Sequence, residues 1–377
     1  MAGGGNVELE YRLGVVKRLL SSFDRIPYWE SLLRGMEYKS CEPEARRLVL
    51  SYTTYHACLY NARGAVHGGA VGTLLDECCS LTMVLFAKDA KHIGTVTEIQ
   101  VTYMGEVKAG IDVEIVGVVT KLGRSMAFVE GLIRESESGK PLAKCMEIRY
   151  VGKPWPLPIK SSHLTQEGSG GGPTSGERWK LPSEAYSDGV LKHHRLVDAE
   201  ELKKASSVST ATLNRVLERT DISERLRRNL EVQNQWRKHR ETANAEENEV
   251  IFDNRLSTMA IVTASPEEAL MVYELKVCPL VENIAGSIHP GAVVAIIDWT
   301  TATAFWAFNP HGVGGVSVNI AVQFHMPVHT GTVLRVEADC KKFGNTLAFL
   351  TCRFFDKETG DLVVQGTHLY FAMRPRL

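Results

Sequence analysis

The sequence lacks the features of a membrane-spanning or nucleic-acid-binding protein. It contains no run of about 18 or more uninterrupted apolar residues, which argues against a transmembrane helix. The longest apolar stretch, 292–308, contains Asp298 and several threonines and predicts a buried core helix. The 377 residues carry a formal net charge of −1, so the charge balance favours neither nucleic acid nor an anionic membrane surface. We expect a soluble globular chain with room for two domains.

The eight cysteines show no CxxC pair and no spacing typical of metal ligands. Most lie within apolar segments, so we interpret them as reduced core cysteines of an intracellular protein. The N-terminal segment lacks the basic start and apolar run of a secretory signal, and acidic residues interrupt the basic pattern of a mitochondrial presequence. We therefore expect a cytoplasmic location, with the mitochondrial matrix as the alternative, and neither a metal nor a redox cofactor.

The chain contains an internal repeat. Residues 61–76 (NARGAVHGGAVGTLLD) match residues 283–298 (NIAGSIHPGAVVAIID) at Asn, Gly, His, Gly and Asp. After a shift of one residue, the match resumes between 135–151 and 356–372. The chain therefore duplicates a unit of roughly 130 residues, a length that suits one small domain.

Both copies show the same order of predicted elements. An amphipathic helix comes first, followed by a pair of strands, an almost wholly apolar helix and three or four alternating strands. A helix that is apolar all round must be buried on all sides. One buried helix wrapped by a curved antiparallel sheet is the hotdog architecture, so we predict an α+β double hotdog. The predicted segments in the first and second copy are 19–33 and 213–230 for the first helix, 47–58 and 256–278 for the strand pair, and 69–87 and 292–308 for the apolar helix.

The composition changes sharply between the copies. Closely spaced prolines lead into GSGGGPTSG at 168–176, which cannot build a core. We predict a first hotdog domain at 11–151, a flexible linker at 152–200, a charged helical lead-in at 201–248 and a second hotdog domain at 249–377.

The motif at 61–76 resembles the HGG signature of hotdog acyl-CoA thioesterases of the PaaI and thioesterase-superfamily-member-2 type, and the resemblance covers nearly all of both repeats. In that family an Asn, a His and the first Gly of HGG polarise the thioester carbonyl. An Asp nine residues after the His, with a Ser or Thr on a later strand, directs the attacking water. The corresponding positions are Asn61, His67, Gly68, Asp76 and Val96 in the first repeat, and Asn283, His289, Pro290, Asp298 and Ser317 in the second.

The resemblance further implies an acyl-CoA substrate, no cofactor and a tetramer of hotdog units, which for this chain is a homodimer. The residue types suit thioester hydrolysis, because negative charge develops on the carbonyl oxygen and needs a donor already aimed at it. An N–H at a helix N-terminus is such a donor and lies at the positive end of the helix dipole. A glycine there lets the ligand approach the backbone closely, and a carboxylate within the apolar helix is a candidate general base.

The helix geometry requires that each site be shared. His67 and Asp76 are nine residues apart on one helix, so they lie roughly 13 Å apart along its axis at about 1.5 Å per residue. Both therefore cannot contact one thioester carbon. Each site must combine the helix start of one hotdog with the Asp of another across a two-fold axis, and the natural partner here is the other repeat.

Two composite sites result, and the departures from the family motif fall in only one of them. Pro290 has no N–H to donate and Val96 cannot hydrogen-bond a water. We therefore predict one working and one degenerate site per chain. The first composite site comprises Asn61, His67, Gly68, Asp298 and Ser317, and the second composite site comprises Asn283, His289, Pro290, Asp76 and Val96.

Several alternatives remain open from the sequence. A small register shift would let Thr95 or Thr97 replace the missing serine, and Glu77 is an alternative carboxylate to Asp76. Asp298 and Ser317 could be structural rather than catalytic. For the whole chain, the rival functions are a non-catalytic structural or acyl-CoA-sensing subunit of a larger assembly and a hotdog hydratase or dehydratase.

Overall fold

A computed structural model of the chain describes most of both repeats. The predicted linker at 152–200 and the helical lead-in at 201–248 lie outside the described residues, apart from Gly152 and four isolated positions, and so does Asn61. The described residues are 3–23, 29–54, 65–88, 93–152, 224, 227, 228, 231, 256, 259–278, 280–283, 286–309, 314–344 and 346–373.

In the described part of the chain, each repeat contributes one long central helix and six strands. The first repeat comprises α1 (Gly3–Ser22), a 3-10 helix (Trp29–Leu33), β1 (Glu37–Glu42), β2 (Arg47–Thr53), α2 (Gly68–Phe86), β3 (Thr95–Tyr103), β4 (Asp112–Leu122), β5 (Met126–Glu135) and β6 (Pro141–Tyr150). The second comprises β7 (Ala260–Ser265), β8 (Leu270–Lys276), α3 (Pro290–Phe308), β9 (Gly315–Phe324), β10 (Val333–Phe343), β11 (Leu347–Asp356) and β12 (Leu362–Ala372).

All twelve of these strands form one antiparallel sheet in the order β1-β2-β4-β5-β6-β3-β9-β12-β11-β10-β8-β7. The order in the second half mirrors the order in the first. At the junction of β3 with β9, Gln100 pairs with Ala321, its counterpart in the other repeat. A pseudo-two-fold axis therefore passes through this pair, and the sheet is continuous from one repeat into the next.

Helices α2 and α3 fill the inside of the sheet and pack against each other. Both are long and apolar enough to cross a membrane by length and composition, but most of each is buried within the protein. The helices approach closely, because a Cβ added to Gly72 would lie 2.7 Å from Val294 Cγ1. A buried helix wrapped by an antiparallel sheet, present twice, confirms the predicted double hotdog.

Two details of the first repeat differ from the sequence-based expectation. The predicted helix at 19–33 is wrong: α1 ends at Ser22 and a separate 3-10 helix begins at Trp29. One continuous helix over 19–33 would place Pro27 in its interior, where proline removes a backbone hydrogen bond and clashes with the preceding turn. The strand pair lies at 37–53 rather than 47–58, because β1 is a largely polar edge strand without a clear apolar alternation.

Candidate active site

His67 caps the N-terminus of α2. It lies in extended conformation directly before the helix, and its Nδ1 accepts a hydrogen bond from the Gly69 N–H at 3.1 Å. The first N–H groups of a helix have no intrahelical acceptor, so this bond satisfies one of them and fixes the imidazole ring. The capping histidine therefore shapes the backbone at the Gly68–Gly69 step.

Asp298 reaches this helix start from the other repeat. Its Oδ2 accepts a hydrogen bond from the Gly69 N–H at 3.1 Å and lies 3.2 Å from His67 Nδ1. Its Oδ1 accepts a hydrogen bond from the Ser317 hydroxyl at 2.6 Å. The structure thus brings together His67, Gly68, Asp298 and Ser317, which the sequence assigned to the first composite site, while Asn61 lies outside the described residues.

The carboxylate of Asp298 is almost fully buried, with 7% of its side chain exposed. A buried carboxylate is stable only with donors around it, and here it has a backbone N–H, a hydroxyl and the positive end of the α2 dipole. A Cβ at Gly68 would lie 2.6 Å from Asp298 Oδ2, so only glycine fits at this position without displacing the carboxylate. A helix-start N–H and a carboxylate therefore lie side by side.

His368, on β12, is a neighbour of Asp298 that the sequence analysis missed. Its Nδ1 lies 2.7 Å from the Thr301 hydroxyl, which donates to the Ile297 carbonyl, so Nδ1 carries the proton and donates to Thr301. Its Nε2 lies 3.8 Å from Asp298 Oδ1. Burial lowers the pKa of His368 to about 4, although the Asp298 carboxylate acts in the opposite direction. The ring is therefore neutral at pH 7. The sequence signal that could have identified this residue is a histidine at an inward-facing position of the alternating strand β12.

The second composite site repeats the same backbone frame. His289 caps α3, with its Nδ1 accepting from the Gly291 N–H at 3.0 Å. Asp76 Oδ2 accepts from the same N–H at 3.2 Å and lies 3.3 Å from His289 Nδ1. Pro290 occupies the first position of α3, which proline favours, and so keeps the helix while removing the donor.

Arg149, which the sequence analysis missed, occupies the second composite site. Its Nη2 lies 3.5 Å from Asp76 Oδ1, donates to the Ser80 hydroxyl at 2.7 Å and lies 2.7 Å from Glu147 Oε2. Burial lowers the pKa of Arg149, but the Glu147 and Asp76 carboxylates raise it by more, so the guanidinium stays charged. Asp76 is thus paired with a buried cation, whereas Asp298 faces a hydroxyl.

The strand register explains this difference. Val96 lies opposite Arg149 in the β3–β6 pair, and Ser317 lies opposite Tyr370 in the β9–β12 pair. Where the first site has a serine paired with a tyrosine, the second has a valine paired with the arginine that reaches Asp76. The Tyr370 hydroxyl points elsewhere and accepts from the Gly315 N–H at 3.1 Å.

The alternatives for the second site take other positions. Thr97 donates to the Ile148 carbonyl at 2.9 Å and Thr95 is exposed, so Val96 keeps the position equivalent to Ser317. Glu77 Oε2 lies 3.6 Å from His289 Nε2, on the opposite edge of the ring from Asp76. Asn283 Oδ1 accepts from the Ser287 N–H at 3.2 Å, within the loop that precedes α3.

Cys79, Cys145 and Glu147 form a buried group beside Arg149, with their potential ligand atoms within 4.8 Å of one another. The hydrogen bond with Cys145 and burial raise the pKa of the Cys79 thiol, so it stays protonated. Metal ions bind the thiolate form, and Glu147 already pairs with the guanidinium. We therefore interpret this group as part of the packing around Arg149.

Residues 63–142 and 285–363 each match the thioesterase superfamily. The chain is similar to acyl-coenzyme A thioesterase 13 from Mus musculus, with 32% identity over 117 residues, 31% of this chain and 81% of that protein. The Homo sapiens protein of the same name is 30% identical over the same share of each chain. A solved structure, the tesB protein from Mycobacterium avium subs paratuberculosis, has a TM-score of 0.50 and 11% identity, and the match covers 92% of this chain and 100% of that one. That last likeness concerns the fold alone.

Proposed function

Since the chain belongs to the thioesterase superfamily, we propose that it hydrolyses acyl-coenzyme A thioesters to the free acid and coenzyme A in the first composite site. One observation carries the proposal: Asp298 of the second repeat is hydrogen-bonded to the helix start at Gly68–Gly69 of the first, with Ser317 beside it. The proposal is supported by this proximity, because one thioester bound at the helix start would lie within reach of both the carboxylate and the helix-start N–H groups.

The Gly68 N–H is the oxyanion donor in this mechanism. Gly68 is the first residue of α2, so its N–H has no acceptor within the helix and lies at the positive end of the dipole. As water adds to the thioester carbon, negative charge moves to the carbonyl oxygen, and a donor already in place stabilises it. His67 holds this backbone through the Gly69 N–H, and the family resemblance implies a contact from Asn61 to the same carbonyl.

Asp298 acts on the water side of the carbonyl. As a general base it takes one proton from the attacking water, while Ser317 helps to place that water. When the tetrahedral intermediate collapses, the C–S bond breaks, the proton held by Asp298 passes to the sulfur, and the thiol of coenzyme A and the acid are released. The alternative role is nucleophilic, with Asp298 forming a mixed anhydride that water then hydrolyses.

We also propose that the second composite site is degenerate. Pro290 offers no N–H, Val96 offers no hydroxyl and the Arg149 guanidinium pairs with the carboxylate of Asp76. Each change removes one requirement of hydrolysis while the buried groups remain paired. For the chain as a whole, we also propose a homodimer and a cytoplasmic location, as expected from the sequence. Analytical ultracentrifugation tests the homodimer, and cell fractionation tests the location.

The test is thiol release from short, long and aromatic acyl-CoAs by wild type, Asp298→Asn and Asp76→Asn. We expect Asp298→Asn to lower kcat by about 10²-fold or more, the range of a general base. Asp76→Asn is the matched control in the second site and should keep wild-type kcat per folded chain. Loss of activity in Asp76→Asn alone would reverse the assignment. No thiol release by wild type from any substrate would reject hydrolysis in favour of the non-catalytic alternative.

A further inference from the structure

Tyr103, the last residue of β3, contacts the helix start of the first composite site. Its hydroxyl donates a hydrogen bond to the Gly68 carbonyl at 2.9 Å. Burial raises the pKa of Tyr103 well above its usual value, and the Asp298 charge adds to this effect, so the phenol stays protonated and remains a donor. Neither the motif nor the family resemblance pointed to this residue.

One peptide unit connects the phenol to the carboxylate. The Gly68 carbonyl that accepts from Tyr103 and the Gly69 N–H that donates to Asp298 Oδ2 at 3.1 Å belong to the same peptide plane. A hydrogen bond at one end of an amide polarises it and strengthens the bond made at the other end. Tyr103 therefore acts on Asp298 through the backbone.

The same peptide plane controls the oxyanion donor. The Gly68 N–H belongs to the preceding plane, which is joined to this one at the Gly68 Cα. A glycine without a Cβ restrains that joint little, so hydrogen bonds on both planes must hold it, and the His67 carbonyl of the preceding plane accepts one from the Val71 N–H at 3.0 Å. His67 holds the joint from the N-terminal side through Gly69, and the Tyr103 hydroxyl holds it from the sheet.

We propose that Tyr103 is a positioning residue for hydrolysis, which sets the direction of the Gly68 N–H and the bond between the Gly69 N–H and Asp298. The inference rests on the proposed function of the first composite site. Tyr103 acts through the backbone, so it is expected to affect the chemical step more than substrate binding.

The second repeat supports the inference by contrast. Phe324, the last residue of β9, takes the place of Tyr103 and has no hydroxyl. The same repeat has Pro290 at the start of its helix, and because proline has no N–H there is no oxyanion donor at that position to orient. The tyrosine hydroxyl is thus present in the repeat whose helix start has an oxyanion N–H, and absent from the repeat whose helix start has a proline. Phenylalanine at this point of the fold is also evidently compatible with a packed hotdog.

The test compares Tyr103→Phe with the matched control Phe324→Tyr. Tyr103→Phe removes only the hydroxyl, and we expect kcat to fall about tenfold with KM nearly unchanged, the pattern of an interaction that acts in the transition state. Phe324→Tyr should leave both constants at the wild-type values. Equal thermal midpoints for the three proteins would show that folding is not the cause.

A second measurement reads the oxyanion donor directly. In a ketone analogue of an acyl-CoA, with a methylene in place of sulfur, the isotope-edited infrared stretch of the carbonyl reports the hydrogen bond that it accepts. We expect the stretch of the bound analogue to move in Tyr103→Phe toward its value in water-free solvent, and not to move in Phe324→Tyr.

The outcomes separate this inference from the function on which it rests. An active wild type with unchanged kcat in Tyr103→Phe would overturn the role of Tyr103 and leave thioester hydrolysis standing. A lower kcat with an unmoved carbonyl stretch, or an equal fall in Phe324→Tyr, would also overturn it. A wild type that releases no thiol would reject the proposed function, and the inference with it.

Discussion

Replacing Gly68 by alanine tests the tightest contact of the first composite site. The new Cβ would lie 2.6 Å from Asp298 Oδ2 and 3.3 Å from its Cγ. Ordinary contacts begin near 3.4 Å, so the carboxylate or the helix start must move by about 0.8 Å. Either movement separates the base from the oxyanion donor or turns it away from the substrate carbonyl.

The size of the effect follows from that displacement. A misplacement of about 1 Å in an active site costs on the order of 10²-fold in rate, or about 2.7 kcal/mol of transition-state stabilisation. The free energy of unfolding should fall by no more than about 2 kcal/mol, because alanine gains about 1 kcal/mol over glycine in a helix while overpacking costs about 1–3 kcal/mol. We therefore expect Gly68→Ala to be folded and about 100-fold slower in kcat.

Steady-state thiol release, with thermal unfolding measured on the same preparations, checks this prediction. The matched control is Pro290→Ala. Position 290 corresponds to position 68 in the second repeat, and its wild-type proline already carries a Cβ. It should keep wild-type kcat. A Gly68→Ala variant with kcat within about twofold of wild type would refute the proximity argument, because so small a change is incompatible with a base displaced by most of an ångström.

Two further predictions concern buried charge. Arg149→Met leaves Glu147 and Asp76 buried without their cation, so it should lower the free energy of unfolding by about 3–5 kcal/mol without changing kcat per folded chain. Denaturant unfolding measures the change, and a variant as stable as wild type would contradict the prediction. The pKa of His368 is about 4 in the folded chain and 6.5 for a solvated histidine, so between these values the unfolded chain binds a proton that the folded chain does not. The free energy of unfolding should therefore fall by up to about 3 kcal/mol as the pH drops from about 6.5 to about 4, and it should fall less steeply in His368→Asn. The same pH dependence of stability in both proteins would contradict the lowered pKa of His368.

The repeat and the two central helices could be predicted from sequence because their signals are local. An apolar helix that is preceded by a His and contains an Asp nine residues after it repeats in both halves, and helix rise alone shows that His67 and Asp76 cannot serve one carbon. The pairing across repeats that this argument predicts is the pairing seen between His67 and Asp298. The polar edge strand β1 lacked such a periodic signal and was missed.

The remaining site residues depend on contacts that no local pattern encodes. Arg149 becomes a partner of Asp76 only because β6 lies beside β3 at that register, opposite Val96. Tyr103 gains its role from where β3 ends relative to the start of α2, 35 residues earlier in the chain. In a single sequence, each of these side chains looks like one more residue in an alternating strand.

The pseudo-two-fold axis at Gln100 and Ala321 has an evolutionary consequence. In a symmetric dimer of separate chains, one gene encodes both sites, so every substitution appears twice and any loss of function is total. Joining the halves in one polypeptide removes that constraint, since each copy can mutate alone. Here the second composite site combines Pro290 of one repeat with Arg149 of the other, while the first composite site combines Gly68 with Ser317. Fusion therefore permits the division that we propose, with hydrolysis in one site and, in the other, contacts such as the Gly291 N–H to Asp76 bond that join the halves.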